Sequence, residues 1–423
     1  EKDEDGIWHY YDSDDEMVTD EWRKDGSKWF YLDEDGNMLT EAWVDDEYYV
    51  GADGAMVKND WVKTTADEDV SDPEDDGDNW YYFGSNGKMY KEAAKKKVNG
   101  KYYFFNAHGQ MLYEWINNQK YRVSSSSDLV SGNGYTAPGA ASSSNGILDD
   151  NANYQGSSQI WNMQYSNVVE DGSRANGWYE IDGSADTGED GDTDWYYFDD
   201  GEAERADAGK DFVTVDGDGA DVFRAKIKIN GKYFCFNEMG QMQTGLQYIG
   251  ADHAFYFFDE NGYMQTGKET NVEDDDDSYN FYFITKNGKN GQGQMGEKDN
   301  YLYFGGKRLE ADDDYRIYFF DGKYYLVNNK GKIQDSKSKK YDVENGNGMT
   351  EAKFTFRNDG SISKVEIEGT NGNYSEVPAA TWQADATYPE IALYDGYFTY
   401  DTDHQNALVW LTEAQYNALG RNQ

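Results

Sequence analysis

The 423-residue chain has few aliphatic side chains, a single cysteine and no long apolar run. Only 37% of its residues are hydrophobic and its mean hydropathy is −0.97, which argues against a conventional core of Leu, Ile and Val. The one cysteine, Cys235, excludes a disulfide within the chain. Its position in an aromatic strand favours a small buried residue over a reactive thiol.

Basic residues are also scarce. The chain has 38 Lys and Arg against 82 Asp and Glu, giving a formal net charge of −44. This charge repels phosphate backbones, so we predict no nucleic-acid partner. Anionic membrane surfaces are disfavoured for the same reason. Cationic ligands and divalent metal ions remain compatible with the composition.

Segments that would anchor or export the chain are not recognisable either. No apolar run reaches the about 18 residues that a membrane-spanning helix needs, so we predict no membrane insertion. No signal peptide is recognisable. Because the chain opens on the charged run Glu1 to Asp5, we interpret it as a processed or trimmed mature form.

Catalytic patterns are missing as well. The four histidines are scattered and have no metal-ligand spacing; they are His9, His108, His253 and His404. There is no glycine-rich phosphate loop. Paired carboxylates occur throughout and therefore single out no glycosidase pair. We predict that the chain is not an enzyme.

Aromatic residues are abundant and they recur in a fixed phrase. They make up 16% of the chain, with 37 Tyr, 20 Phe and 12 Trp. The phrase is a run of aromatics, a short acidic or glycine turn, a methionine, and often a further tryptophan. Clear copies begin at Trp29, Trp80, Tyr102, Tyr233 and Phe255. Large flat side chains can supply the buried area that aliphatic residues do not.

The spacing of the phrase indicates a β-hairpin repeat of about 20 residues. Aromatic runs such as Trp29 to Leu32 alternate between the two faces of a strand. The pairs Asp35-Gly36, Asp53-Gly54 and Asn86-Gly87 follow these runs and favour tight turns, because both residue types tolerate positive φ. The sequence therefore predicts a mostly β fold built from stacked hairpins.

Composition divides the chain into four segments. Residues 1–122 form an N-terminal repeat array, and residues 178–340 form a second array in which Tyr and Phe mostly replace Trp. Residues 123–177 are rich in Ser, Gly and Asn and are predicted to be an ordered excursion or a linker. Residues 341–423 follow another pattern and are predicted to be a small α+β cap or module.

Two signals support the C-terminal module. Asn358-Asp359-Gly360 lies between two alternating runs and predicts a hairpin. Thr412 and Gln415 form a capping box ahead of Gly420, which predicts a short helix over 413–419.

These repeats resemble the cell-wall-binding repeat family, which includes the choline-binding and glucan-binding repeats of Gram-positive surface proteins and clostridial toxins. The residues that carry the resemblance run from Trp22 through Trp29-Phe30-Tyr31 and Gly36-Asn37-Met38 to Trp43. The resemblance implies a β-hairpin solenoid with ligand sites between successive repeats. It also implies an extracellular location at the surface or cell wall of a Gram-positive bacterium.

The resemblance further implies two aromatic ligand sites. One would consist of Trp22, Trp29 and Tyr49, and the other of Trp61, Trp80 and Tyr103. Aromatic faces can enclose a quaternary ammonium by cation–π attraction or stack on a sugar ring. The alternative is that these aromatics are only the packing between repeats. Glu47 stands where the family pattern expects tryptophan, which leaves choline and glucan-type ligands both open.

Acidic clusters suggest calcium as a candidate cofactor. Asp186, Asp190 and Asp192 partly match a calcium loop, but Tyr197 stands where a bidentate glutamate is expected. The alternative is solvated, mutually repelling loop charge.

Two functions are compatible with the sequence. The first is a secreted, non-catalytic surface protein whose partner is a cell-wall polysaccharide or a choline-bearing polymer. The second is a structural subunit that stacks end to end into an extracellular fibre, which would make the chain its own partner as a homopolymer.

Overall fold

The computed structural model describes most of the chain, and the rest is left undescribed. The described residues are 1–66, 77–106, 108–117, 163–182, 193–206, 211–215, 221–275, 277–286, 288–346, 348–395, 397–401, 407–411, 414 and 418. They fall into two compact units. The first unit takes those up to Thr193 together with Tyr197–Ala203, and the second takes Asp194–Tyr196 together with those from Glu204 onwards. The predicted four-segment division stays a prediction.

The described residues are mostly short strands. The strands up to residue 203 are β1 (Glu21–Asp25), β2 (Lys28–Leu32), β3 (Ala42–Val44), β4 (Tyr48–Val50), β5 (Asp60–Thr64), β6 (Asn79–Phe83), β7 (Ala93–Val98), β8 (Lys101–Phe105), β9 (Met111–Leu112), β10 (Glu114–Asn117), β11 (Met163–Ser166), β12 (Gly177–Asp182), β13 (Thr193–Asp199) and β14 (Glu202–Ala203).

The remaining strands belong to the second unit. They are β15 (Phe212–Val215), β16 (Asp221–Phe223), β17 (Ala225–Ile229), β18 (Lys232–Phe236), β19 (Met242–Gln243), β20 (Gly245–Ile249), β21 (Ala254–Phe258), β22 (Gly267–Asp274), β23 (Asp277–Phe283), β24 (Gly296–Lys298), β25 (Tyr301–Phe304), β26 (Lys307–Arg308), β27 (Tyr315–Phe320), β28 (Lys323–Asn328), β29 (Lys340–Tyr341), β30 (Ala352–Phe356), β31 (Ile362–Glu368), β32 (Tyr374–Glu376), β33 (Tyr397–Asp401) and β34 (Ala407–Leu411).

Most strands pair with their neighbour in sequence as antiparallel hairpins, such as β1–β2, β3–β4 and β5–β6. Larger sheets occur in the second unit, where five strands join in the order β22-β23-β26-β25-β24 and four in the order β29-β30-β31-β32. The predicted mostly β fold of small hairpins is confirmed. The solenoid arrangement of these hairpins stays a prediction.

In several repeat turns, an Asn or Asp at the first position accepts hydrogen bonds from the backbone of the residues that follow it. The Asn106 Oδ1 atom accepts hydrogen bonds from the backbone N–H groups of His108 and Gln110, both at 3.0 Å. Asn237 makes the same pair of bonds in the second unit. Such side chains replace the backbone partners that a tight turn leaves without a bond.

Successive hairpins of the first unit are joined by a backbone hydrogen bond at the methionine. The Met56 N–H donates to the Trp29 carbonyl at 2.7 Å, and the Met89 N–H donates to the Glu47 carbonyl at 2.8 Å. Arg174, which stands at the methionine position of a later repeat, donates to the Tyr102 carbonyl at 2.9 Å. The methionine position therefore fixes the register of one hairpin on the previous one.

The core is aromatic, as the composition predicts. In the second unit, Phe255, Phe283 and Phe304 are buried in the largest cluster. The last hairpin belongs to the same cluster, because the Phe398 ring lies 4.9 Å from both Tyr248 and Phe255. Buried aromatics in the first unit form smaller clusters, one between the hairpins β3–β4 and β5–β6 and another between β5–β6 and β7–β8.

The C-terminal hairpin over Asn358 to Gly360 is confirmed, with Phe354 of β30 opposite Val365 of β31. A short helix that the sequence analysis missed, α1 (Ala379–Ala384), buries Trp382 in this part of the chain. Of the helix predicted over 413–419, only residues 414 and 418 are described, and both are helical.

Candidate functional site

The first tryptophan of each N-terminal hairpin lies between two aromatic layers. It packs on the tyrosine opposite it in its own hairpin and on a ring of the next hairpin. Trp22 lies 5.2 Å from Tyr31 and 5.5 Å from Tyr48, measured between ring centroids. Trp43 lies 5.5 Å from Tyr49 and 4.8 Å from Tyr81.

This arrangement separates the first predicted group. Trp22 and Trp29 share one face of the β1–β2 hairpin, because Trp22 is opposite Tyr31 and Trp29 is opposite Lys24. Tyr49, however, is buried against Trp43, and the tyrosine that meets Trp22 is its neighbour, Tyr48. Side chains alternate along a strand, so an error of one residue in alignment moves a residue to the opposite face.

The second predicted group is brought together. The Trp61 ring centroid lies 6.4 Å from that of Trp80 and 4.9 Å from that of Tyr103. Both pairs meet edge to face, at 87° and 61°. The three rings line a cleft of about 320 Å³ that also contains Lys101, Met111, Glu170 and Asp171. These seven residues are called the third-hairpin cleft.

The walls and floor of this cleft differ in exposure. Tyr103 and Met111 are buried, at 7% and 4% of their full exposure, whereas Trp61 and Trp80 are half-buried. Burial raises the pKa of the Tyr103 hydroxyl, so this side chain is neutral at neutral pH. The floor is therefore apolar and fixed, and the two indoles present their surfaces towards solvent.

Two carboxylates form the rim of the third-hairpin cleft. Glu170 accepts a hydrogen bond from Lys63 Nζ at 2.8 Å, and the Asp171 carboxylate lies 3.1 Å from Lys101 Nζ. The Lys63 hydrogen bond lowers the pKa of Glu170, helped by a smaller contribution from Trp80. Burial acts to raise the pKa of Asp171, but its bonds to Ser173 and Lys101 outweigh that effect and lower it. Both carboxylates are thus charged at neutral pH.

The sequence analysis missed this rim. Glu170 and Asp171 lie in the segment from Asn167 to Ser173, far along the chain from Trp61, and no periodic signal connects them. A local signal could still have identified this segment, because Asp171-Gly172 has the Asp-Gly form of a repeat turn. Gly172 indeed takes φ +62° and packs on Met111, as the other turn glycines pack on the preceding methionine.

A larger cleft of about 410 Å³ lies at the first hairpin, lined by Glu1, Trp8, His9, Tyr10, Arg23, Lys24, Asp25, Phe30, Leu32, Met38 and Asp53. It contains none of the predicted ligand-binding residues. Basic groups of the chain already lie over its aromatic rings. The Arg23 guanidinium is 5.9 Å from the Tyr10 ring centroid, and Lys2 Nζ is 5.8 Å from the Trp8 ring centroid.

The predicted metal residues Asp186, Asp190 and Asp192 lie outside the described residues. In the part of the chain that the structure describes, no group of three or more His, Cys, Asp or Glu could hold a metal ion. His9 is bonded to the Gly36 carbonyl at 2.9 Å and to Asp3 at 3.2 Å. Calcium stays a prediction.

No helix among the described residues is both long and apolar enough to cross a membrane.

Comparison with known families identifies the repeats. The family described as "Choline-binding repeat" matches residues 16–56 and 37–65. The family described as "Putative cell wall binding repeat" matches residues 74–89. These stretches contain Trp22, Trp29, Tyr49, Trp61 and Trp80. No curated protein sequence matches the chain significantly.

Solved structures of low identity also align with the chain. The modular autolysin LytC from Streptococcus pneumoniae, in complex with a synthetic peptidoglycan ligand, is 15% identical with a TM-score of 0.40. The alignment covers 79% of this chain and 53% of the autolysin, which is about half of its length. Choline binding protein F from Streptococcus pneumoniae is 17% identical with a TM-score of 0.39, over 81% of this chain and 98% of that protein. An alternansucrase in complex with isomaltononaose is 16% identical with a TM-score of 0.21, over 89% of this chain and 23% of that enzyme.

Residues 16–65 and 74–89 therefore match the choline-binding and putative cell-wall-binding repeat families, and the resemblance stated from the aromatic phrase is confirmed.

Proposed function

We propose that the chain is a cell-surface protein of a Gram-positive bacterium whose N-terminal hairpins bind choline groups of cell-wall polymers. The family matches support the class of ligand. The observation that carries the proposal is the third-hairpin cleft, in which Trp61, Trp80 and Tyr103 converge beside two carboxylates. The repeats of this unit would stack as a hairpin solenoid, with one ligand position between successive hairpins.

The chemistry of the cleft suits a quaternary ammonium. The quaternary nitrogen of choline carries four carbon substituents and has no N–H group to donate, so its recognition depends on ring surfaces and on nearby negative charge. Aromatic faces attract such cations by about 0.5–2 kcal/mol each, depending on how far the site excludes water. Glu170 and Asp171 place two carboxylates at the rim, each already paired with a lysine. The buried floor of Tyr103 and Met111 offers apolar contact to the methyl groups.

A glucan-type carbohydrate is the second ligand within the same proposal, because a half-buried indole such as Trp80 can stack on a sugar ring. The proposed localisation is extracellular, in the cell wall. The absence of catalysis, the binding of calcium and the formation of a homopolymer stay predictions. Neither the family matches nor the cleft supports the fibre alternative.

Isothermal titration of the full chain with choline chloride tests this function. Trp80→Ala removes one wall of the third-hairpin cleft and should weaken binding at that site by about three- to thirtyfold. Trp195→Ala is the matched control, because Trp195 is an exposed tryptophan of the second unit, with 42% of its surface accessible. If choline releases no heat with the unsubstituted chain, or if Trp80→Ala and Trp195→Ala behave alike, this assignment of the cleft is wrong. Parallel titration with dextran decides between the two ligands.

A further inference from the structure

Lys63 places a positive charge at the rim of the third-hairpin cleft. It lies opposite Trp80 in the β5–β6 register, and its Nζ atom is 5.8 Å from the Trp80 ring centroid. The same ammonium donates to Glu170 at 2.8 Å. An internal cation therefore shares the ring and the carboxylate that an external ammonium would use.

The neighbouring pair, Lys101 with Asp171, has a repeated structural role. Lys28 and Asp53 form the same pair at 2.6 Å. In both cases a lysine that begins an aromatic strand contacts the acid that precedes the glycine of a later turn. This pair thus recurs as a link between hairpins, and its presence beside the cleft needs no ligand to explain it.

The pair of Lys63 and Glu170 is different, because Lys63 does not begin an aromatic strand and Glu170 does not directly precede a turn glycine. Lys24 holds the same register position on the first hairpin, opposite Trp29, yet it forms no ion pair with any residue that the structure describes. Lys63 and Glu170 are separated by 107 residues in sequence and are both partly exposed, at 38% and 61%. At this register position the ion pair is present in the third hairpin and not in the first, and its exposure makes it accessible to a competing ion.

Another lysine of the chain shows that an internal ammonium can occupy an aromatic face. Lys226 Nζ lies 4.0 Å from the Tyr256 ring centroid and 5.5 Å from that of Tyr233. Asp252 accepts its hydrogen bond at 2.6 Å. This second-unit arrangement has the same components as a ligand site, namely ring faces, a carboxylate and a cation, but the chain supplies the cation itself.

We propose that Lys63 is an internal competitor that limits the occupancy of the third-hairpin cleft, with Glu170 as the group that both cations share. An ammonium ligand binds Trp80 only when Lys63 moves away from it, and Glu170 then neutralises the ligand. This inference rests on the proposed function. It adds that the affinity of the cleft is set by residues outside the aromatic set.

The two members of the pair should therefore have opposite effects on choline binding. Lys63→Met keeps the aliphatic stem, removes the competing charge and leaves Glu170 free, so it should tighten binding about two- to fivefold, which is the worth of one exposed cation–π contact. Glu170→Gln removes the attractive charge and leaves Lys63 unneutralised, so it should weaken binding by a similar factor. Lys63→Arg retains the charge and should stay close to the unsubstituted chain.

Fluorine NMR of the full chain labelled with 5-fluorotryptophan measures these affinities at one site. The Trp80 signal is assigned by its loss in Trp80→Phe, and its shift is followed as choline chloride is added. Lys364→Met is the control for loss of one positive charge, because it breaks the partly exposed pair of Lys364 and Glu366 in the second unit.

Each outcome is decisive. Tighter binding in Lys63→Met, weaker binding in Glu170→Gln and no change in Lys364→Met support the proposal. If choline shifts the Trp80 signal with equal affinity in the unsubstituted chain and in Lys63→Met, the competitor role is wrong while the binding function stands. If choline leaves the Trp80 signal unmoved in every variant, the binding function and the competitor role both fail.

Discussion

At the scale of single residues, the repeat depends on contact between a methionine and the turn glycine of the next hairpin. A Cβ atom built on Gly87 would lie 2.3 Å from Met56 Sδ, and one on Gly109 would lie 2.4 Å from Met89 Sδ. The positive φ of these glycines and the closeness of the sulfur both exclude a larger residue. In these repeats the turn glycine and the preceding methionine therefore occur together.

Two later repeats replace the methionine by arginine. The aliphatic stem of Arg174 lies over Gly201, and that of Arg308 lies over Gly331. The Arg174 guanidinium then reaches Asp200 at 3.3 Å. The position over the turn glycine requires a side chain with a long unbranched stem. The arginine charge is tolerated because a carboxylate lies beside it, Asp200 for Arg174 and Glu310 for Arg308.

Gly87→Ala tests the contact. In this variant the alanine would have a φ of +83°, and its Cβ atom would lie 2.3 Å from Met56 Sδ. The loss in free energy of unfolding should therefore exceed the loss caused by the backbone conformation alone. Gly100→Ala is the control, because Gly100 has φ +90° with nothing within 4 Å of the added Cβ atom. We expect Gly100→Ala to cost about 1–2 kcal/mol and Gly87→Ala to cost about 1–3 kcal/mol more, measured by urea unfolding. If both variants lose the same free energy of unfolding, the contact with Met56 does not add to the cost of replacing Gly87.

Of the two aromatic groups predicted as ligand sites, the structure brings one together and separates the other. Trp61, Trp80 and Tyr103 were grouped because the family resemblance implies it, and the structure brings the three rings together. Tyr49 was grouped with Trp22, whereas Tyr48 makes that contact. The pattern Tyr48-Tyr49 is aromatic on both faces, so composition alone cannot show which face is which.

At the scale of elements, a buried ion pair connects three parts of the second unit. Asp274 at the end of β22 is buried and lies 2.9 Å from Lys307 of β26. Its second oxygen accepts a hydrogen bond from the Leu393 N–H at 3.0 Å. The Lys307 ammonium also lies 3.6 Å from the Tyr279 ring centroid. The C-terminal segment is thereby fixed to the five-stranded sheet.

Asp274→Asn should destabilise the second unit by about 3–5 kcal/mol, because it leaves the Lys307 charge buried without its partner. The side chain keeps its size and its acceptor for the Leu393 N–H, so the loss reports the charge. Lys364→Met, which breaks a partly exposed pair, should cost less than about 1 kcal/mol. Thermal unfolding of both variants provides the measurement, and a similar small loss in each would contradict the structural role of Asp274.

At the scale of the whole molecule, the net charge of −44 is the main opposing force. Carboxylates that repel one another destabilise a compact state. Raising the salt concentration from 10 mM to 150 mM shortens the screening length from about 30 Å to about 8 Å. We expect the melting temperature to rise over this range in sodium chloride.

Calcium distinguishes screening from binding. A folded-state site for calcium would raise the melting temperature further than sodium at equal ionic strength, by mass action. Equal stabilisation by the two salts would show that screening is sufficient and would overturn the calcium prediction. A fall in melting temperature with sodium chloride would contradict the account of charge repulsion.

The hairpins of the repeat could be predicted from the sequence better than the rim of the third-hairpin cleft or the helix α1. A short period with aromatics, a turn and a methionine favours local pairing, and β1 to β8 do pair as hairpins. Each aromatic strand pairs with the strand before it, however, so the β1–β2 turn lies at Gly26 and the predicted turn Asp35-Gly36 follows the hairpin. The rim of the third-hairpin cleft depends on a contact between Lys63 and Glu170 that spans 107 residues. The helix α1 lacks a side-chain cap and spans six residues, so it gave no periodic signal.

The most direct test of the central claim is a crystal structure of the full chain soaked in choline. The account predicts trimethylammonium density in contact with Trp61, Trp80 and Tyr103, with Lys63 displaced from the Trp80 ring. A well-ordered third-hairpin cleft that stays without choline at saturating concentration, while Lys63 remains on Glu170, would contradict it.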